Sequence, residues 1–334
     1  MSGRITVAGN LIVDTVKSID VYPQRGNLAT ISDISRGVGG CASNTSIALA
    51  RLDKTLSINV LGRLGDDENG SYIKETLENN GVFPDIVIDK SLPTSFTDVM
   101  SEKQGERTFF HIRGANSAFC HDDIPFHKLD CDLFHIGYIL LLDSMDAPDG
   151  QYGTKLAKTL AHVRSLGIKT SVDVVSENSD RFSKIAIPSL KHCDYVIINE
   201  NEASLITGLP AREPDGSLPE ENIRSILERL LELGVNELVS IHTPEGGWVL
   251  TRSSEYAFSP SVNIPVEHIK GHVGAGDAFC AGMLYSIIKG FNLQYALEIG
   301  AGSAACCLTQ ANSTDGLRDF SGVLDTIKQW GFRK

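Results

Sequence analysis

Gly274-Ala275-Gly276-Asp277 is the stretch of this chain with the plainest chemical potential. Apolar residues follow it at helical spacing (Phe279, Met283, Leu284, Ile287, Ile288), and Lys289-Gly290 suits a helix C-terminus, so the pattern predicts a helix starting at or near Gly276. A helix start preceded by glycines offers unpaired N–H groups and the positive end of the helix dipole to an anion such as a phosphate. Asp277 falls in the first turn, facing that anion. Two readings are open. Asp277 is either an acid that satisfies free helix-end donors beside a tight turn, or a base that takes a proton from an attacking hydroxyl while the amides stabilise a transferring phosphoryl group.

Two further stretches bear on the choice. Gly274 to Asp277 with Phe279, Ala281 and Gly282 resembles the C-terminal signature of the PfkB, or ribokinase-like, kinases. Gly39-Gly40-Cys41-Ala42-Ser43-Asn44-Thr45-Ser46 resembles the first signature of that family, and Asn199-Glu200-Asn201-Glu202 its Asn-x-x-Glu motif. The three occur in the family's order. The resemblance implies an ATP-dependent, Mg²⁺-assisted kinase that phosphorylates a hydroxymethyl group of a sugar. Asp277 would be its general base, and the backbone from Gly274 through Ala275 and Gly276 to Asp277 its anion hole. Asn199 and Glu202 would hold Mg²⁺, often through water; residue types alone favour a helix cap with an exposed acid. For the acceptor the resemblance points to Asp14, Gly39, Gly40, Asn44 and Arg113, the last alternatively a solvated arginine or a surface ion pair. Asp143 is a further acceptor candidate, or a solvated residue at a strand end. For ATP it points to Asn199, His242, Gly247, Gly274 and Gly276.

The same resemblance implies one α/β domain over residues 1–334, with a central, mostly parallel sheet flanked by helices. A small β-sheet lid would be built from segments at approximately 11–36 and 92–114, and two lids would pair in a homodimer. Departures from the family pattern are informative. Gly271-His272-Val273 stands where Asp-Thr-Thr or similar is usual, which removes a carboxylate from a monovalent-cation site. Pro244 replaces a glycine in the loop from His242 to Gly247, and Asp53 stands where a glycine is usual. Asp173-Val174-Val175-Ser176-Glu177 lacks the arginine of an Asp-x-Asn-x-Arg stretch, so the sugar stays unnamed. A nucleoside kinase of the same fold is the nearest rival, and a catalytically silent sugar-binding protein the rival from another class.

These residues need elements to hold them. Period and turn signals predict strands at 5–8, 57–61, 86–88, 133–136, 170–174, 195–198 and 238–241, and helices at 42–52, 69–80, 152–166 and 221–233. Alternation of strand and helix from Asp132 onward marks a parallel sheet, whose ligands lie beyond the carboxyl ends of the strands, where Asp173, Asn199 and Glu202 fall. Strands at 95–101 and 107–113, joined by a turn at 102–106, predict a hairpin that joins exposed strands between 13 and 34. No Gly-x-x-x-x-Gly-Lys-Ser/Thr occurs, and the glycines near 274 lack Gly-x-Gly-x-x-Gly spacing, which disfavours P-loop and dinucleotide-binding enzymes.

Composition sets outer bounds. With 334 residues, 42% hydrophobic and 22% charged, the chain reads as an ordinary soluble globular protein. Its formal net charge of -12 gives no support to nucleic-acid or membrane-surface binding. The 7 cysteines show no metal-ligand spacing and read as reduced thiols of a cytoplasmic protein. No signal peptide and no membrane-length apolar run is expected.

Overall fold

Strands that read as unbroken apolar runs are buried on both faces, and the helices that follow them supply the cover. In the computed structural model, which describes residues 3–102, 106–177 and 181–334, nine strands form one sheet. Their order is Tyr256–Pro260, Gly246–Thr251, Leu238–His242, Tyr195–Asn199, Lys169–Val174, Leu133–Ile139, Arg4–Gly9, Ser57–Gly65 and Phe83–Asp89. Pairing is parallel from Leu238–His242 to Phe83–Asp89 and antiparallel at the two strands of the other edge. One core packs Cys41–Leu52, Ala275–Lys289 and Leu293–Leu308 on one face, through residues such as Ile47, Leu49, Met283 and Leu297. The other packs Lys155–Ser165, Phe182–Leu190 and Glu220–Glu232 through Leu160, Phe182 and Leu227. The α/β sandwich with a mostly parallel sheet is the architecture expected.

The antiparallel edge was not expected. Gly246-Gly247 reads as a turn, yet both residues lie in a strand. A Cβ on Gly247 would come 2.8 Å from Phe279 Cζ, so the glycine makes room for that ring.

The chain starts in mid-sheet, lays strands to one side, then returns at Leu133–Ile139 to lay the rest on the other side. Strands Arg4–Gly9 and Leu133–Ile139 are therefore adjacent, and their carboxyl ends form the crevice that such a reversal opens. Gly9 (φ 122°) makes the closest approach: a Cβ there would lie 1.7 Å from Gly137 O. Asn10 ties the two ends together, its N–H donating to Gly137 O (2.9 Å) and its Oδ1 accepting from Tyr138 N (2.6 Å).

A second sheet has the order Ile31–Gly39, Ile12–Ile19, Phe96–Glu102 and Arg107–Ile112. The expected hairpin does join the earlier strands; residues 103–105 of its turn lie outside the described residues. Register puts Asp14, Val16, Val99 and Phe109 on one face and Ile34, Lys17, Met100 and Phe110 on the other. The connections to the main body are laced at one line. Asn116 Nδ2 donates to Leu11 O (3.1 Å), Asn116 Oδ1 accepts from Leu11 N (3.2 Å), and Val13 N donates to Ser95 O (3.1 Å).

Candidate active site

The sequence places a helix start near Gly276, and the helix is Ala275–Lys289, entered through Gly274 in the left-handed region (φ 79°). Its first backbone bond runs from Ala278 N to Gly274 O, so the amides of Ala275, Gly276 and Asp277 have no partner inside the helix. Asp277 is buried in this first turn. Asn44 Nδ2 donates to its Oδ2 (2.8 Å), and the Tyr138 hydroxyl lies 2.8 and 2.9 Å from its two oxygens. Burial raises the Asp277 pKa, while the Asn44 and Tyr138 donors pull it back.

Asp173, Glu202 and Asp277 line one cleft of about 880 Å³, and none has a cationic partner among the described residues. Burial and mutual repulsion push Asp173 well above the carboxylate range and Glu202 to about 7. Buried oxygen donors without a counter-charge fit a hard divalent cation such as Mg²⁺. Asn199 and Glu202 also form a complete helix cap. Asn199 Oδ1 accepts from Asn201 N and Glu202 N (both 2.9 Å), and Glu202 Oε2 accepts from Asn199 N (3.1 Å). Glu202 Oε1 accepts from Asn199 Nδ2 and Ser176 Oγ (both 2.7 Å). The cap predicted from residue types is thus present, but its acid is only 4% exposed. Asn199 turns its oxygen to the helix, and both it and Glu202 line the cleft.

The acceptor candidates divide into two groups. In the first, Asn44 bonds Asp277, Asp14 feels the Asp277 charge, Gly39 abuts Asp14 and Gly40 abuts Asn10, though none of the four lines the 880 Å³ cleft itself. Burial first, then Asp277, raise Asp14 to about 6 against a Thr97 hydrogen bond. A Cβ on Gly39 would lie 2.0 Å from Asp14 Oδ2, and one on Gly40 (φ 85°) 2.4 Å from Asn10 O, so glycines let the backbone pass close to the acid. Asn44 gives its NH₂ to Asp277 and accepts from Ser313 Oγ (2.8 Å), which makes it a holder of the carboxylate. Arg113 and Asp143 form the second group, bonded to each other: Arg113 Nη1 donates to Asp143 Oδ1 (2.7 Å) and Leu140 O (2.8 Å). The ion-pair alternative for Arg113 is the arrangement found, and neither residue lines the cleft that holds Asp277.

A second hollow of about 380 Å³ adjoins the first, sharing Asn199, His242, His272 and Gly276 with it. Val262, Ile264, Phe279, Ala304 and Leu308 give it apolar walls suited to a flat aromatic ring. His242 packs 5.1 Å from the Phe279 ring, and burial lowers its pKa to about 4, so the imidazole is neutral near pH 7. Gly276 runs beneath it; a Cβ there would meet His242 Cε1 at 3.2 Å. Gly247 lies under Phe279 instead of lining the hollow, and Gly246 lines it.

Sequence reasoning missed Tyr138, Phe279 and Ser313 as parts of this site. Tyr138 carried a usable signal, because it sits at the carboxyl end of a parallel strand, where ligands bind. We expect Tyr138→Phe to shift the acid limb of kcat/KM to higher pH. The hydroxyl stabilises the charged carboxylate, so removing it raises the Asp277 pKa further and the carboxyl ionises at higher pH. An acid limb that stays in place in a pH series on both proteins would show that the rate does not depend on a carboxylate held by Tyr138.

Residues 5–319 match the family described as pfkB family carbohydrate kinase. A ribokinase of Arabidopsis thaliana is 24% identical over 327 residues, covering 97% of this chain and 81% of the relative. A 5-dehydro-2-deoxygluconokinase of Clostridium perfringens is also 24% identical, over 312 residues, covering 90% of this chain and 87% of the relative. The solved structure of Arabidopsis thaliana ribokinase complexed with ribose and ATP superposes with a TM-score of 0.80 at 22% identity, covering 98% of this chain and 99% of that one. The fold is ribokinase-like.

Proposed function

Because the chain belongs to the pfkB family of carbohydrate kinases, we propose that it transfers the γ-phosphoryl group of ATP to a hydroxymethyl group of a sugar, with Asp277 as general base. The observation that carries this reading is the Asp277 carboxylate, held by Asn44 and Tyr138 at a glycine helix start where two cavities meet. The apolar hollow beside Phe279 takes the adenine, and its inner end delivers the phosphates to the amides of Ala275, Gly276 and Asp277. His242, neutral and wedged over Gly276, excludes water there. The acceptor hydroxyl approaches Asp277 from the Asp14 and Gly39 side, loses its proton to the carboxylate, and attacks the γ-phosphorus; the bond from that phosphorus to the β,γ-bridging oxygen breaks and ADP leaves while the amides take up charge. Glu202, beside Asp173, would hold Mg²⁺ through water, and the ion supplies neutralisation of phosphate charge.

The four-stranded sheet would serve as a lid: Arg107 and Phe109 from its inner face line the cleft. Its outer face leaves Ile34 60% and Phe110 51% exposed, which supports pairing of two lids in a homodimer, a state that sedimentation measures directly. Seven free thiols support a cytoplasmic location. Among the described residues, no helix is long and apolar enough to cross a membrane.

The test is ADP release from Mg·ATP with a panel of sugars and nucleosides. Turnover with a sugar supports the reading, preference for a nucleoside moves it to the rival kinase, and binding without turnover leaves the silent sugar-binding protein. A second expectation follows from Gly271, whose backbone abuts Ala311 O and which offers no carboxylate. Replacing K⁺ by a large organic cation at constant ionic strength should change the rate little, and a several-fold fall would reveal a cation site built from other groups.

A further inference from the structure

Cys41 opens the helix after Gly40, and its Sγ lies within 4.8 Å of one carboxylate oxygen each of Asp173 and Asp277, which lie within that distance of one another. The three residues come from distant parts of the chain, so no spacing in the sequence signals the set. Gly137 makes the approach possible: a Cβ there would lie 2.8 Å from Cys41 Sγ and 3.1 Å from Asp173 Cβ. Asp173 is 7% exposed and faces the cleft, yet among the described residues its carboxylate accepts one hydrogen bond, from Val174 N at 2.7 Å. Behind the sulfur, His135 Nε2 sits 3.3 Å from Cys41 Sγ, and His135 Nδ1 lies 3.1 Å from Ser171 Oγ.

One sulfur and two oxygens thus converge beside a cleft, and among the described residues neither carboxylate has an ion-pair partner, although Arg107 and Lys270 line the same cleft. Mg²⁺ takes oxygen and water in preference to sulfur, whereas zinc accepts all three donors. Zinc binds thiolate at about 2.3 Å and carboxylate at about 2.0–2.2 Å, so its ligands sit roughly 3.5 Å apart. The present set, within 4.8 Å, would have to contract by about 1 Å to reach that spacing. His135 is placed as metal-site neighbours are, against the ligand and held by a bond at its other nitrogen.

We propose that Cys41, Asp173 and Asp277 form a binding site for Zn²⁺ or another thiophilic divalent cation, set apart from the Mg²⁺ position at Glu202 by its sulfur but built on carboxylates of the same cleft. On binding, the Cys41 S–H bond breaks, its proton passes to solvent and a sulfur–metal bond forms, with no change of oxidation state. The ion engages the lone pairs with which Asp277 would receive the acceptor proton. It is therefore an inhibitor of the transfer, a consequence that rests on the kinase reading, whereas the binding itself does not.

The binding test is a titration of the full-length protein with Co²⁺, read by the near-ultraviolet thiolate-to-cobalt charge-transfer band. One equivalent per chain should develop the band, and Zn²⁺ should abolish it. Cys41→Ser should lose the band, while Cys120→Ser, which changes the one cysteine that is not buried, should keep it. Asp173→Asn should weaken Co²⁺ binding by at least the about 10–100-fold seen when outer partners of a metal ligand are lost. A band that survives in Cys41→Ser, or wild-type protein without a band at saturating Co²⁺, overturns the site. Should Cys41→Ser not fold, unchanged affinity in Asp173→Asn overturns it equally. In the activity arm, Zn²⁺ should inhibit competitively against the acceptor and lose potency in Cys41→Ser; equal inhibition of both proteins rejects the inhibitory role. Absence of turnover with every acceptor would reject the kinase reading while leaving the cobalt result to stand or fall alone.

Discussion

Asp277→Asn lowers kcat by about 10²-fold or more and leaves the folded structure in place. The amide keeps an oxygen for the Asn44 NH₂ and a neighbour for the Tyr138 hydroxyl, so the geometry of the helix start is retained. What it loses is the capacity to accept the hydroxyl proton. Stability supplies the control. The carboxyl has a folded pKa raised above its unfolded value, so its contribution is present below the unfolded pKa and is lost as pH rises through the folded one. Above that range the buried charge is a cost that the amide does not carry. Tm of Asp277→Asn at pH 8 should therefore equal or exceed that of the wild type, while single-turnover rates fall. Near-native turnover would remove Asp277 as the base, and a fall in Tm would mean that the rate loss reports misfolding.

Gly9→Ala should be among the most damaging substitutions outside the residues that touch substrate. At φ 122° an L side chain is strained, and the added Cβ would meet Gly137 O at 1.7 Å, a backbone atom fixed in the adjacent strand. Neither strand can retreat without breaking the pairing from Ile5 with Leu133 to Gly9 with Gly137. A loss of about 4 kcal/mol or more, or roughly 6 °C in Tm, is expected. Gly208→Ala is the comparison, since Gly208 (φ 74°) has no atom within 4 Å of a new Cβ. Left-handed strain alone costs about 1–2 kcal/mol. Similar Tm shifts in the two variants would show that the strand ends yield more easily than their contacts indicate.

How far the sequence could be read depended on whether the deciding contacts were local. The Asp277 helix start, the helix after Gly40 and the parallel strands were legible because glycine punctuation and apolar period act within a few residues. Tyr138 was not, because Gly137 looks like a strand end and the strand was expected to stop at Ile136. It runs to Ile139, since glycine is needed there for room beside Cys41 and Asp173 and not for a turn. The strand Gly246–Thr251 was hidden in the same way, Gly247 making room for Phe279 and Gly246 for Phe258 and Ser259 of the neighbouring strand Tyr256–Pro260. Arg113 and Asp143 were each read as an acceptor ligand or a surface residue, with an ion pair among the alternatives for Arg113; that the two pair with one another is a fact of tertiary distance, which no spacing encodes. The cluster of Cys41, Asp173 and Asp277 is the extreme case, three helix-start and strand-end positions joined by the sheet reversal.

The lacing of the small sheet at Leu11, Val13, Ser95 and Asn116 also limits how that sheet can travel. A flap on one flexible tether could swing in any direction. Here the chain passes between the two sheets near Leu11, Gly40, Ser95 and Gly114, and the hydrogen bonds of Asn116 and Ser95 draw these crossings into a row. A row of pinned crossings is the hardware of a door, which turns about one axis. Asn10, next to that axis, also accepts from Tyr138 N, so the closing motion proposed for the lid would turn about a line fixed beside Tyr138 and Asp277. Acceptors of different size would then meet the same approach to Asp277, with the door stopping at different angles.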